Sequence, residues 1–86
     1  MAKQLLVVLV DNRKAHAPKV QKVLTVYGCL IKTRLGIHDG VLDNCSNEGL
    51  LVCELVGESD KQQELQKNLD KLSGVRAKLV DIRFEA

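Results

Sequence analysis

Hydrophobic and polar positions alternate between two periods along this chain, and the changes of period mark its elements. Leu5-Leu6-Val7-Val8-Leu9-Val10 is a continuous apolar run stopped by Asp11-Asn12. It is short, Val-rich and bounded by turn formers, which predicts a fully buried strand. From His16 to Tyr27 the period lengthens: Val20, Val23, Leu24 and Tyr27 fall at i, i+3, i+4 and i+7, with polar residues between them. That spacing predicts an amphipathic helix with Pro18 in its first turn and Gly28 as its stop.

Cys29 to Ile37 then alternates. Leu30, Lys32 and Arg34 are expected on one face and Ile31, Thr33 and Leu35 on the other, a strand with one wet side. Gly36 to Gly49 is irregular and rich in Gly, Asp and Asn, and it joins two strands by an unusually long connection. Leu50 to Val56 is a second, almost wholly apolar strand. Ser59-Asp60 opens a second helix, with Gln62 and Gln63 placed for a capping box and Leu65, Leu69 and Leu72 as its apolar stripe. After Ser73-Gly74, Val75 to Phe84 alternates as a last strand.

The order β-α-β-β-α-β predicts a ferredoxin-like α+β sandwich, with an antiparallel sheet of order 4-1-3-2 and two helices on one face. The two apolar strands take the centre and the two mixed strands the edges. A sheet covered on one side leaves the other open. Six or so aliphatic side chains there would forgo roughly 10 kcal/mol of burial, at about 1.5–3 each. Such a patch usually marks a partner surface. A homo-oligomer, dimer or tetramer, is therefore expected, with Leu6, Val8, Val10, Leu51, Cys53 and Leu55 assigned to its interface.

Composition narrows the function classes. Eighty-six residues make one domain spanning 1–86. Aromatics are 2% of the chain, so the core must be aliphatic and the central strands hold no rings for stacking RNA bases. Net charge is +2 with signs interspersed, which gives no electrostatic case for nucleic acid or a membrane surface. Three cysteines without a CxxC pair do not form a disulfide framework or a zinc ribbon. The N-terminal apolar run is too short for a signal-peptide core or a membrane span. A reducing cytoplasm is the expected compartment.

Candidate chemistry is sparse. Asp11, Asn12 and Arg13, with His16 nearby, stand where a strand meets a helix N-terminus, and could hold an anion. Equally, Asp11 and Asn12 are ordinary turn and cap residues. Arg34 and Gly36 leave the second strand; Arg34 could grip a ligand or be one solvated edge charge. His38, Asp39, Asp43, Cys45 and Cys53 offer nitrogen, oxygen and sulfur donors for nickel, copper or zinc, with His38 and Cys45 the leading pair. Their spacing matches no recognised ligand motif. No Cys–His pair is oriented for nucleophilic attack and no P-loop is present, so no enzyme activity and no cofactor are expected.

The segments Val10-Asp11-Asn12-Arg13, Val20-xx-Val23-Leu24-xx-Tyr27-Gly28, Ile31-xx-Arg34-Leu35-Gly36-Ile37 and Leu72-Ser73-Gly74-Val75-Arg76 resemble the ACT-like family. More narrowly, they resemble the small regulators of the iron-only hydrogenase system. The resemblance implies a non-enzymatic, oligomeric regulatory domain, similar in fold to the C-terminal domain of the nickel-responsive repressor. It also implies a small ligand or a partner enzyme. Amino-acid-binding ACT domains carry Pro-Gly just after the first-strand aspartate, whereas Asn12-Arg13-Lys14 follows Asp11 here. That departure argues against a free amino acid held in the familiar manner. Two alternatives stand beside the regulator: a transition-metal sensor or carrier, and a purely structural oligomerisation module.

Overall fold

The computed structural model describes residues 2–38 and 48–85. Its elements are β1 (Ala2–Val10), α1 (Arg13–Val26), a 3-10 turn (Gly28–Leu30), β2 (Ile31–His38), β3 (Gly49–Leu55), α2 (Ser59–Asp70) and β4 (Val75–Arg83). The four strands form one sheet in the order β2-β3-β1-β4, which is 4-1-3-2 read from the opposite edge. All the pairings are antiparallel. The central places go to the two strands with the most apolar sequence, where both edges are hydrogen-bonded to neighbouring strands and one face lies beneath the helices.

The core is aliphatic throughout. Leu6, Val8 and Val10 from β1, Leu51, Cys53 and Leu55 from β3, and Val75 and Ala77 from β4 meet Val20 and Leu24 of α1 and Leu65 and Leu69 of α2. Every one of these side chains is buried within a single protomer. The sequence-based assignment of Leu6, Val8, Val10, Leu51, Cys53 and Leu55 to an intersubunit face is therefore corrected. Those side chains face the helices. Alternation puts Leu5, Val7 and Leu9 of β1 and Leu50 and Val52 of β3 on the uncovered side, and Leu9 is 45% exposed while Leu6 and Val8 are 0% exposed. Both strands are apolar on both faces, so period alone does not choose between them. The helices do.

Several local details differ from the sequence reading. α1 begins at Arg13 rather than His16, so Pro18 falls in its second turn. There its ring cannot supply an N–H to the carbonyl four residues back. α2 has no capping box: Glu58 is its N-cap without a side-chain hydrogen bond. Gln62 instead turns inward, buried, and donates to the Gly57 carbonyl at 3.1 Å. The expected alternation of β2 is broken by a bulge between Ile31 and Thr33. Ile31 pairs with Leu55 and Arg34 with Cys53, so both sit on the helix side; Thr33 opposite Glu54 and Leu35 opposite Val52 sit on the open side.

The two helices are joined by a polar clasp. The Tyr27 hydroxyl donates to Glu64 Oε2 at 2.8 Å and accepts from Asn68 Nδ2 at 2.6 Å. The bond to the Glu64 carboxylate, with partial burial and the negative charge behind it, pushes the phenol above its ordinary range.

Candidate functional site

Two of the sequence candidates come from separate elements and line one cleft. Arg13 is the first residue of α1, and Arg34 is the second residue of β2 beyond its bulge. Between them an open cleft of about 510 Å³ runs along the N-terminal half of α1, β2 and the start of β3. Val10, Val20 and Leu51 supply an aliphatic floor, and Ala17 and Pro18 one wall. Gly36 also lines it.

Each part of this site has a local cause. The chain leaves β1 at Asp11, whose amide donates to the Gly74 carbonyl at 2.7 Å. The Asp11 side chain accepts the Asn12 amide at 2.9 Å. Asn12 is the N-cap of α1 in the left-handed region, at φ 47°, a conformation that Asn tolerates better than most residues. His16 Nδ1 lies 2.6 Å from the Asp11 carbonyl oxygen; that oxygen can only accept, so the nitrogen donates. Asp11, Asn12 and His16 thus serve the corner, and the corner delivers Arg13.

Arg13 crosses the start of β3, where Gly49 makes room: a Cβ there would stand 3.2 Å from Arg13 Cδ. Among the described residues Arg13 has no hydrogen-bond or ion-pair partner. Arg34 is brought to the helix side by the bulge, and its Nη2 donates to Gln21 Oε1 of α1 at 2.6 Å. That bond fixes one edge of the guanidinium and leaves further N–H donors available. Gln21 reads in the sequence as a solvated helix residue, and no periodic signal singles it out. Gly36 has no positive φ, and a Cβ at this position would make ordinary contact with Leu51 Cδ1 at 3.8 Å. Backbone strain does not demand glycine there. What the missing side chain leaves is space.

The second feature is the open side of the sheet. Leu5, Val7, Leu9, Leu50, Val52 and Leu35 form its apolar field, with Leu35 57% and Leu9 45% exposed. Val80 and Ile82 extend it along β4. Glu54 sits within it, reached by Lys3 at 3.2 Å and Lys32 at 3.9 Å. Cys53 lies behind this face, in the core, where burial raises its thiol above the ordinary value despite the opposing Arg34 charge. It is a packing residue. Of the proposed metal pair, Cys45 lies outside the described residues and so does the side chain of His38, as do Asp39 and Asp43. Among the described residues no group of three or more His, Cys, Asp or Glu converges. Among the described residues no helix is long and apolar enough to cross a membrane.

No protein-family profile matches the chain, and no curated protein matches it. Solved structures do. A protein of Thermotoga maritima superposes with a TM-score of 0.80 at 24% identity, over 96% of this chain and 100% of that one. A nitrogen regulatory PII-like protein from Thiomonas intermedia, bound to ADP, AMP and bicarbonate, gives a TM-score of 0.60 at 11% identity, over 100% and 98%. A PII-like protein from Thermus thermophilus gives 0.64 at 9% identity, over 95% and 88%. At such identities the likeness establishes the ferredoxin-like fold. It goes no further than that.

Proposed function

We propose that this chain is a ligand-responsive regulatory domain that works as a homo-oligomer: the α1–β2–β3 cleft receives a small anionic ligand and the open sheet face pairs with another copy. The observation that carries the reading is the convergence of Arg13 and Arg34, 21 positions apart in the sequence, on one cleft with an apolar floor. Pockets of this size with a few fixed polar groups are the usual form of small-molecule sites. Support comes from the fold, since a PII-like protein that shares it was solved with the anions ADP, AMP and bicarbonate. The narrower resemblance to the hydrogenase-system regulators fits a domain that reports ligand state to a partner enzyme.

A thermal-shift screen across organic acids, nucleotides and amino acids tests the sensing role. A ligand at about a hundred times its Kd adds about 2.7 kcal/mol, which in a domain of this size raises Tm by roughly 10 °C or more. Such a shift, lost in Arg13→Gln and Arg34→Gln, is expected. No shift with any compound would leave the structural-module reading in its place. Light scattering on the purified protein tests assembly, and a stable 9.5 kDa species would overturn it.

A further inference from the structure

We infer that the α1–β2–β3 cleft selects a short aliphatic carboxylate, its acid group held by Arg34 and Arg13 and its hydrocarbon body lying on Val10, Val20 and Leu51; this rests on the sensing role proposed above. Charge gives the sign of the ligand. Two guanidinium groups line the cleft, and among the described residues lining it there is no acidic side chain. An uncompensated pair of arginines in a partly apolar setting favours an anion, and the planar fork of N–H donors suits a carboxylate or phosphate.

The walls give the body of the ligand. Among the described residues, the lining other than Gln21 and the two arginines is aliphatic or glycine. Among the described residues no aromatic ring stands there to stack a nucleobase, although stacking of that kind is how proteins commonly hold base faces. Aliphatic floors gain by burying methylenes. The occupant therefore combines one anionic end with a compact hydrocarbon end, which a nucleotide or a free inorganic ion does not.

The geometry also provides for orientation. Gln21 Oε1 holds one edge of Arg34 at 2.6 Å, so the remaining donors face a defined direction. Gly36 leaves the β2 wall bare where any larger residue would narrow the cleft toward Leu51.

Amide chemical-shift titration of the full-length protein separates the outcomes. The probes are 4-methylpentanoate, its neutral analogue 4-methylpentanamide, inorganic phosphate and AMP. With 4-methylpentanoate, shifts are expected to cluster at residues 13, 17, 20, 21, 34, 36, 49 and 51, and 4-methylpentanamide should bind at least tenfold more weakly. Arg34→Gln and Arg13→Gln should each weaken the acid by about tenfold or more, as loss of a charge-assisted hydrogen bond implies. Gly36→Leu should abolish the shifts while the spectrum stays that of a folded protein. Equal binding of acid and amide would overturn the inference, as would shifts that cluster elsewhere. Tighter binding of phosphate or AMP at the same residues would overturn the aliphatic-acid assignment and leave the sensing role standing. No binding of any probe, together with a metabolite screen that moves no Tm, would remove both.

Discussion

The two faces of β1 make an instructive pair. Leu6 and Val8 on one side, and Leu5, Val7 and Leu9 on the other, are drawn from the same residue types and occupy the same strand. One set is sealed beneath α1 and α2, and the other is open to whatever lies outside the protomer. Equal hydrophobicity thus serves two ends: folding on the helix side and, by our proposal, assembly on the open side. A substitution reads out whichever end its face serves.

Leu6→Ala should be the most damaging change. It opens a cavity beneath both helices and should lower unfolding free energy by about 2–5 kcal/mol, measured by urea denaturation. Val7→Glu with Leu9→Glu should spare the secondary structure seen by circular dichroism while dissolving the assembly seen by light scattering. Each removed side chain forfeits about 1.5–3 kcal/mol of burial between copies. If that pair unfolds the protein as Leu6→Ala does, the distinction between the faces collapses.

Gly74→Ala tests the seam where β4 begins beside the end of β1. Gly74 holds φ at 72°, and a Cβ there would overlap the His16 ring. A loss of about 1–3 kcal/mol is expected from the strained backbone, visible as a lower Tm. Tyr27→Phe removes the hydroxyl between Glu64 and Asn68 and should cost about 1 kcal/mol, again without touching assembly.

The smallest effect concerns pH. Burial holds the Cys53 thiol above its ordinary value of 9.0, so the folded chain keeps a proton that the unfolded chain releases. Stability from this group is full below about pH 9 and declines as pH rises beyond it. Cys53→Ala should flatten that alkaline decline in denaturation curves, and the Cys53 thiol should resist modification in the folded protein while exposed Cys29 reacts.

How far the sequence foretells this molecule follows from which forces are local. The period changes at Asp11, Gly28, Gly57 and Gly74 report backbone preference and one-sided burial, so element order and the central place of β1 and β3 were legible. Which face of those strands meets the helices was not, because Leu5–Val10 has no polar residue to mark either side. The helix starts were misjudged for a related reason. Asn12 caps α1 through a left-handed backbone rather than a side-chain bond, and Gln62 serves the core rather than the N-terminus of α2. Arg13, Arg34 and Gly36 could be singled out one by one. Their meeting on a single cleft depends on the crossover of α1 over the sheet, which no local signal encodes.

Lys32 is the extra residue at the β2 bulge, and a strand works by parity. The bulge takes up one position, so Ile31 and Arg34 share the helix side although they stand three apart in the chain. A shortened chain lacking Lys32 would alternate without a bulge and keep Thr33 opposite Glu54 and the arginine opposite Cys53. A chain that kept Lys32 but lost the bulge would instead turn its arginine to the open side and its leucine toward the helices. Relatives of this protein are therefore best sorted by the count of residues between the 3-10 turn and the arginine together with the presence of the bulge, since the two jointly decide which surface the charge serves.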